Sequence, residues 1–329
     1  MVRPGPRAWL RRSFTLPLYG VLAVVHLGLL PLTLPIALAY DGVRHRRWAT
    51  ARLLFFLTVY LWAEVGGIVV ALLATPLVWL APRRSVAFHF GVQRVWAGVL
   101  FDALAGLYGL HFAVTGEEVL RGGPLLFFVR HSSTADTLLP MELVARRRGY
   151  HPRYVLKRAL LWDPCLDVVG HRIPNVFVRR GGDPMGDAAA VAWLGAGLGP
   201  RDMVVIYPEG TRFSETRRRD ALARLERAGA TQERLSRARR LTRVLPPRLG
   251  GVAALLAASP SADVVFVVHR GFEVASSMGA LLGGALIGAR VEVCFWRVSR
   301  AEIPEEKEAQ GRWMDGEWEK VDAWLGRAS

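Results

Sequence analysis

Cysteine and lysine are both nearly missing from this chain. Its 329 residues hold two cysteines, Cys165 and Cys294, far apart and outside any CxxC or Cys/His cluster. That excludes a disulfide framework and a thiolate zinc site, and it fits a reducing compartment. Lysine occurs only as Lys157, Lys307 and Lys320, so the 43 basic residues are nearly all arginine. Acids are also short, at 28, and the formal net charge of +15 asks for an anionic partner: a phospholipid surface, a nucleic acid or a phosphorylated small molecule. Charge alone does not choose among them. No internal repeat is present, and no GxSxG nucleophile elbow, so a covalent serine mechanism lacks its scaffold.

Apolar residues are abundant instead, at 52%. After a basic tail with Arg3, Arg7, Arg11 and Arg12, "LPLYGVLAVVHLGLLPLTLPIALAY" (16–40) is long enough to cross a hydrocarbon core. "LLFFLTVYLWAEVGGIVVALLATPLVWLAP" (53–82) is a second such run, with one acid, Glu64, and an interfacial Trp79 and Arg83 at its end. Ala37 and Ala39 mimic a signal-peptidase site, but the apolar region is too long for a signal peptide and a second run follows it. Buried core helices are the other alternative, disfavoured by nearly continuous apolarity. The expectation is a membrane-associating helical hairpin over 1–85, either spanning or monotopic. Arginines lie at both ends and in the connecting loop, so the positive-inside rule votes only weakly on topology. An antiparallel hairpin turning near residue 46 would set His26 level with Glu64, and pairing would relieve the cost of a carboxylate at that depth.

From about residue 110 the texture changes. "HFAVTG", "PLLFFVR", "YVLK", "NVFVRR", "DMVVIYPEG", "ADVVFVVHR" and "VEVCFWRV" read as strands, several apolar on both faces. Helical patterns at 134–148, 183–198 and 216–240 lie between them. The fold class expected is α/β, a mixed, mostly parallel sheet flanked by helices, over 86–329 and preceded by the N-terminal two-helix membrane motif. Residues 215–248 carry eleven arginines against four acids, read equally as a solvated helical face or as a docking surface for anionic lipid headgroups. The C-terminal stretch spaces Trp313, Val321 and Trp324 as an amphipathic helix closing the fold.

Two short stretches carry chemistry. In "VRHSSTAD", His131 at the end of a strand precedes Asp136 by five residues. A carboxylate on one imidazole nitrogen fixes the tautomer and leaves the other to take a proton from a hydroxyl. Ser133 and Asp136 equally match a capping box at a helix start, which needs no catalysis. In "VVIYPEGTR", a strand runs into Pro208, Glu209, Gly210, Thr211 and Arg212, a tight turn whose amides, hydroxyl and guanidinium suit a phosphate. Glu209 is the odd member beside a phosphate, unless it aims the arginine or grips a hydroxyl. Lys157, Arg179 and Arg180, at strand-like ends, are further cations that could converge on the same anion.

"HSSTAD" resembles the H-x4-D signature, and "YPEGTR" the PEGTR signature, of the membrane glycerophospholipid acyltransferases, the lysophosphatidic acid acyltransferase superfamily. Between them, Lys157, Pro164, Gly170, Phe177 and Arg180 fall where that family has a lysine, a mid-segment proline and glycine, and an aromatic-x-x-Arg end. The resemblance covers about residues 111–300, and "LPPRLGG" is most similar to the longer lysophosphatidate and lysophosphatidylinositol branch. Arg130, where asparagine is common, Ala159, where an acid is common, and a "VVFVVHR" strand without proline are departures.

The resemblance implies an O-acyltransferase moving a fatty acyl group from acyl-CoA or acyl carrier protein to the free hydroxyl of a lysophospholipid. The first-ranked acceptor is 1-acyl-sn-glycerol-3-phosphate, giving phosphatidic acid; alternatives are lysophosphatidylinositol or another lysophospholipid, or thioester hydrolysis by the same base. It implies His131 and Asp136 as catalytic, with backbone amides after His131 holding the oxyanion. Glu209, Gly210, Thr211, Arg212, Lys157 and Arg180 would bind substrate. No cofactor, metal or nucleic acid is implied. The implied setting is the inner membrane of the cell, with the catalytic domain on its cytoplasmic face.

Overall fold

Three prolines, Pro17, Pro31 and Pro35, lie inside the first helix without ending it, as helices surrounded by other helices or lipid permit. In the computed structural model, which describes residues 6–133, 135–178, 184–275 and 278–327, the elements follow one another in this order. Helices α1 (Pro6–Val43), α2 (Ala49–Leu73), α3 (Thr75–Leu80) and α4 (Pro82–Tyr108) precede strands β1 (His111–Thr115), β2 (Leu125–Val129) and β3 (His151–Lys157). Next come α5 (Pro164–Gly170), β4 (Val176–Val178), α6 (Pro184–Gly195), β5 (Asp202–Ile206), α7 (Glu215–Arg227), α8 (Gln232–Arg240) and α9 (Leu249–Ala258). Strand β6 (Asp263–Arg270), α10 (Met278–Leu282), β7 (Arg290–Val298) and α11 (Lys307–Leu325) complete the chain. It divides into two compact units, the first formed by 1–111, 137–180 and 274–290, the second by 112–136, 181–273 and 291–329.

In the first unit α1 and α2 pack as the expected hairpin. Its turn is tight: His45, Arg47 and Trp48 take positive φ, and Asp41 at the end of α1 accepts from the amides of Thr50 (2.9 Å) and Ala51 (3.0 Å). A carboxylate there satisfies two donors that the start of α2 would otherwise leave unpaired. Both helices are long and apolar enough to cross a membrane, and only 11% and 17% of their apolar windows is buried. That exposure is the reverse of what a soluble core helix shows.

The expected His26 to Glu64 pairing does not form. His26 Nε2 meets Thr58 Oγ1 at 2.9 Å, one and a half turns or about 9 Å short of Glu64 along α2. Glu64 instead accepts from the indole N–H of Trp96 on α4 (2.8 Å) and from the backbone N–H of Cys165 (3.1 Å). Two true donors hold a buried carboxylate better than a single imidazole across a shifted register. Gly67 permits this approach, since a Cβ there would fall 2.6 Å from Cys165 Sγ. Strands β3 and β4 pair in parallel, Val155 opposite Val176, and Lys157 ends β3.

In the second unit the strand order is β1-β7-β6-β2-β5. Strand β2 lies in parallel between β5 (Leu125 opposite Met203) and β6 (Leu125 opposite Asp263), and β7 runs antiparallel to β6. All five residues of "LLFFV" are fully buried, because helices cover a parallel sheet on both faces and leave no side for polar alternation. Helices α6 and α9 pack together, and α11 lies on β6. Trp318 of α11 is fully buried and donates its indole N–H to the carbonyl of Leu245 (3.0 Å). The expected α/β class is thus the class observed.

Two helical expectations change in detail. Residues 216–240 form two helices, broken at Gly229 (φ 68°), with the Thr231 side chain capping α8 by accepting from Arg234 N. Of the stretch 134–148, residue 134 lies outside the described residues, and 135–148 coil irregularly around Pro140, with a 3-10 turn at Ala135–Leu138 and a π turn at Met141–Arg146. Because β2, β5 and β6 are parallel, their carboxyl ends meet at one edge, carrying His131, the Pro208–Arg212 turn and His269. Ligand sites of open α/β sheets gather at such an edge.

Candidate active site

The last rung of β2, from Arg130 N to the carbonyl of Val267 (3.0 Å), releases the chain at His131. His131 Nδ1 lies 3.2 and 3.3 Å from the two oxygens of Asp136. Asp136 is fully buried and also accepts from the amides of Ser132 (2.6 Å) and Ser133 (2.7 Å), while its own N–H donates to Ser133 Oγ (3.3 Å). The Ser133–Asp136 exchange is the reciprocal bonding of a capping box, so one aspartate both caps its turn and faces the imidazole. Burial pushes its pKa up, but the His131 hydrogen bond, the charges of His269 and His131 and the Ser133 amide outweigh it, and the net direction is down. An ionised Asp136 accepts from Nδ1–H and leaves His131 Nε2 with a lone pair.

Of the backbone amides after His131 expected to hold an oxyanion, those of Ser132 and Ser133 are already engaged by Asp136. A hydrogen bond donated to one carboxylate cannot also serve a second anion.

The β5 turn is laced to His131 through the backbone. Glu209, buried, accepts from His131 N (2.9 Å) with one oxygen and from Leu245 N (2.8 Å) with the other. Phe213 N donates to the His131 carbonyl (3.3 Å), and the Tyr207 and His131 ring centroids are 4.7 Å apart. The Glu209 carboxylate therefore neither aims Arg212 nor reaches outward; it fixes the backbone that carries the imidazole. Burial raises its pKa to about 7, against the lowering effect of the two amides and of Arg130. Gly210 takes φ 68°, a left-handed value that closes the turn through its N–H to the Tyr207 carbonyl (2.8 Å). Thr211 is buried and Arg212 half-buried, its carbonyl accepting from Arg217 Nη1 (3.0 Å).

Two neighbours carry no catalytic signature in the sequence. His269, fully buried on β6, brings Nε2 to 3.6 Å from Asp136 and 3.1 Å from the Arg130 carbonyl. Burial lowers its pKa, against the raising charge of Asp136, and its Nε2–H donates to the Arg130 carbonyl. Arg130 is buried, donating to the His269 carbonyl (2.6 Å) and pairing with Glu273. This explains the departure at position 130: the side chain braces β2 against the end of β6.

The structure thus brings together His131, Asp136, Glu209 and the Gly210–Arg212 turn in one unit. Lys157 is exposed at the end of β3 in the other unit, and Arg179 and Arg180 lie outside the described residues. Among the described residues no group of three His, Cys, Asp or Glu side chains is spaced to hold a metal ion.

Residues 111–268 match the family model described as Acyltransferase. The chain is 29% identical over 233 residues to "1-acyl-sn-glycerol-3-phosphate acyltransferase epsilon" of Mus musculus, an alignment spanning 64% of this chain and 61% of that protein's length. Among solved structures it is similar to the 1-acyl-sn-glycerophosphate (LPA) acyltransferase PlsC from Thermotoga maritima, at 14% identity and a TM-score of 0.46, with 84% of this chain and 99% of that one covered.

Proposed function

We propose that this chain, whose residues 111–268 match the Acyltransferase family model, belongs to the glycerophospholipid acyltransferase superfamily and moves a fatty acyl group from a thioester to the free hydroxyl of a lysophospholipid. The observation that carries the reading is the His131–Asp136 pair, ionised acid to imidazole at 3.2 Å, beside a turn suited to a phosphate. Nε2 of His131 takes the proton of the acceptor hydroxyl as its oxygen bonds to the thioester carbon. The tetrahedral intermediate then breaks its C–S bond, and the imidazolium returns the proton to the departing thiolate. No acyl-enzyme forms. Asp136 stabilises the imidazolium, and Glu209 positions His131 through its backbone N–H.

The donor is acyl-CoA or acyl carrier protein, and the first acceptor to test is 1-acyl-sn-glycerol-3-phosphate, after which the similar mouse protein is named. Its phosphate would lie on the Gly210, Thr211 and Arg212 turn. An acceptor with an acyl chain resides in a bilayer, and α1 and α2 are suited to hold the enzyme there. We place it on the inner membrane with the catalytic domain facing the cytoplasm, where thioester donors are made.

The test is full-length protein in nanodiscs with labelled acyl-CoA and a panel of lysophospholipids, products read by mass spectrometry. Phosphatidic acid from lysophosphatidate, abolished by His131→Ala in a folded, membrane-bound variant, is expected. Free thiol released without acceptor, at a rate the acceptor does not raise, would replace this reading with thioester hydrolysis.

A further inference from the structure

The arginines of 215–248 do not form one uniform surface. Arg218, Arg234, Arg237, Arg239, Arg240 and Arg243 each pair with a carboxylate. Arg217, Arg219, Arg224, Arg227 and Arg248 do not: among the described residues no carboxylate lies within ion-pair distance of any of the five. Of these, Arg224, Arg227 and Arg248 sit together: Arg224 feels the positive charges of Arg248, Arg227 and Arg234, which after burial lower its pKa against the opposing charge of Asp220. Positive charge gathered in excess of its counterions is unfavourable, and a bound anion at such a place relieves the repulsion.

The location of Arg248 says which anion. Its backbone N–H donates to the Pro208 carbonyl (2.9 Å), three residues after Leu245 N donates to Glu209 (2.8 Å). The Leu245 carbonyl is held by Trp318 and the Pro247 carbonyl by Arg234 Nη2 (3.1 Å), so segment 245–248 is pinned along the β5 turn at four points. From that fixed base the Arg248 side chain extends over Gly210: a Cβ there would fall 2.8 Å from its Nε and 3.0 Å from its Cζ. A glycine at φ 68° leaves the space that the guanidinium fills. An exposed arginine lying on a glycine turn, one residue from the glutamate that holds His131, is in place to meet substrate at the site.

We propose that Arg248, with Arg224 behind it, is a phosphate ligand of this site, a second guanidinium for a phosphomonoester dianion that meets the Gly210–Arg212 turn. Guanidinium forks suit such a group because they offer parallel N–H donors to two oxygens at once. The inference rests on the acyl-transfer reading only for who carries the phosphate: the glycerol phosphate of the acceptor or the 3′-phosphate of coenzyme A.

The experiment uses the full chain in phosphatidylcholine nanodiscs, with Arg248→Ala, Arg248→Lys, Arg224→Ala and, as a charge control on the same helix as Arg224, Arg219→Ala. KM is measured separately for lysophosphatidate and for oleoyl-CoA, and binding of glycerol 3-phosphate and of adenosine 3′,5′-bisphosphate by calorimetry. Arg248→Ala is expected to raise one of the two KM values about tenfold or more with kcat within about threefold, and to weaken the matching phosphate probe alike. Arg224→Ala should do so less, Arg248→Lys should keep part of the affinity and Arg219→Ala all of it. A rise for lysophosphatidate assigns the acceptor, and a rise for oleoyl-CoA the donor. Arg248-dependent probe binding by a chain that transfers no acyl group would keep this inference and remove the acyl-transfer reading. The inference is overturned if Arg248→Ala leaves both KM values and both probes within about twofold of wild type, if Arg219→Ala matches its effect, or if neither probe binds.

Discussion

At the level of single residues, the site depends on how carboxylates are engaged. Asp136→Asn keeps the shape but offers an amide where Ser132, Ser133 and His131 all donate to an oxygen. Its kcat is expected to fall about a thousandfold, with acceptor KM little changed, because an imidazole in the wrong tautomer binds but does not take a proton. Glu209 makes a different prediction. Its pKa is raised from 4.5 to about 7 mainly by burial, so the folded protein holds this proton more tightly than the unfolded chain. The associated stability is complete below about pH 4.5 and is lost as pH rises through 7. Melting temperatures of wild type and Glu209→Gln across this window should therefore differ by a gap that moves against wild type as pH increases. A pH-independent gap would mean that Glu209 is already ionised throughout. Gly210→Ala places a Cβ at φ 68° and against Arg248, which should cost about 1–2 kcal/mol and raise the KM of the phosphate-bearing substrate. Unchanged kinetics would show that the turn relaxes freely.

At the level of elements, what the sequence made legible was whatever neighbouring residues decide. Every strand expected from "PLLFFVR" and its companions is present, since a short apolar run between turn residues leaves few alternatives. The Ser133–Asp136 cap was legible for the same reason. The role of Glu209 was not, because its partners lie 78 and 36 residues away and contribute backbone amides, which no side-chain pattern announces. His269 was hidden inside a strand that reads as ordinary core, and Arg248 inside a loop that shows only family likeness. The division at Gly229 had its signal in Gly229 followed by Thr231, outweighed by the long arginine periodicity on either side. The hairpin register failed because it was set by symmetry about the turn, whereas the packing of α4 and of the start of α5 on α2 claims Glu64. Cysteines at 26 and 58, in a chain without Cys165 and Cys294, should join through a short crosslinker, and cysteines at 26 and 64 should not. The reverse result would restore the symmetric register.

For the molecule as a whole, two features compete to explain why it would stay at a membrane: the net charge of +15 and the α1–α2 hairpin. Their physics separates them. Attraction of arginines to anionic headgroups is screened within about 3 Å at 1 M salt, whereas burial of apolar surface is not weakened by salt. Six of the eleven arginines of the basic stretch are also already engaged by carboxylates of the protein, which compete with headgroups for them. The hairpin, in contrast, exposes Val21, Val24, Leu32, Ile36, Trp62 and Leu73, which none of the described residues covers. Full-length protein should therefore remain in the membrane fraction through washes at 1 M salt and at alkaline carbonate, and leave only with detergent. It should bind neutral phosphatidylcholine vesicles nearly as well as anionic ones. Release by salt alone would transfer the anchoring role to the arginines and leave the exposed apolar faces of α1 and α2 in need of another partner.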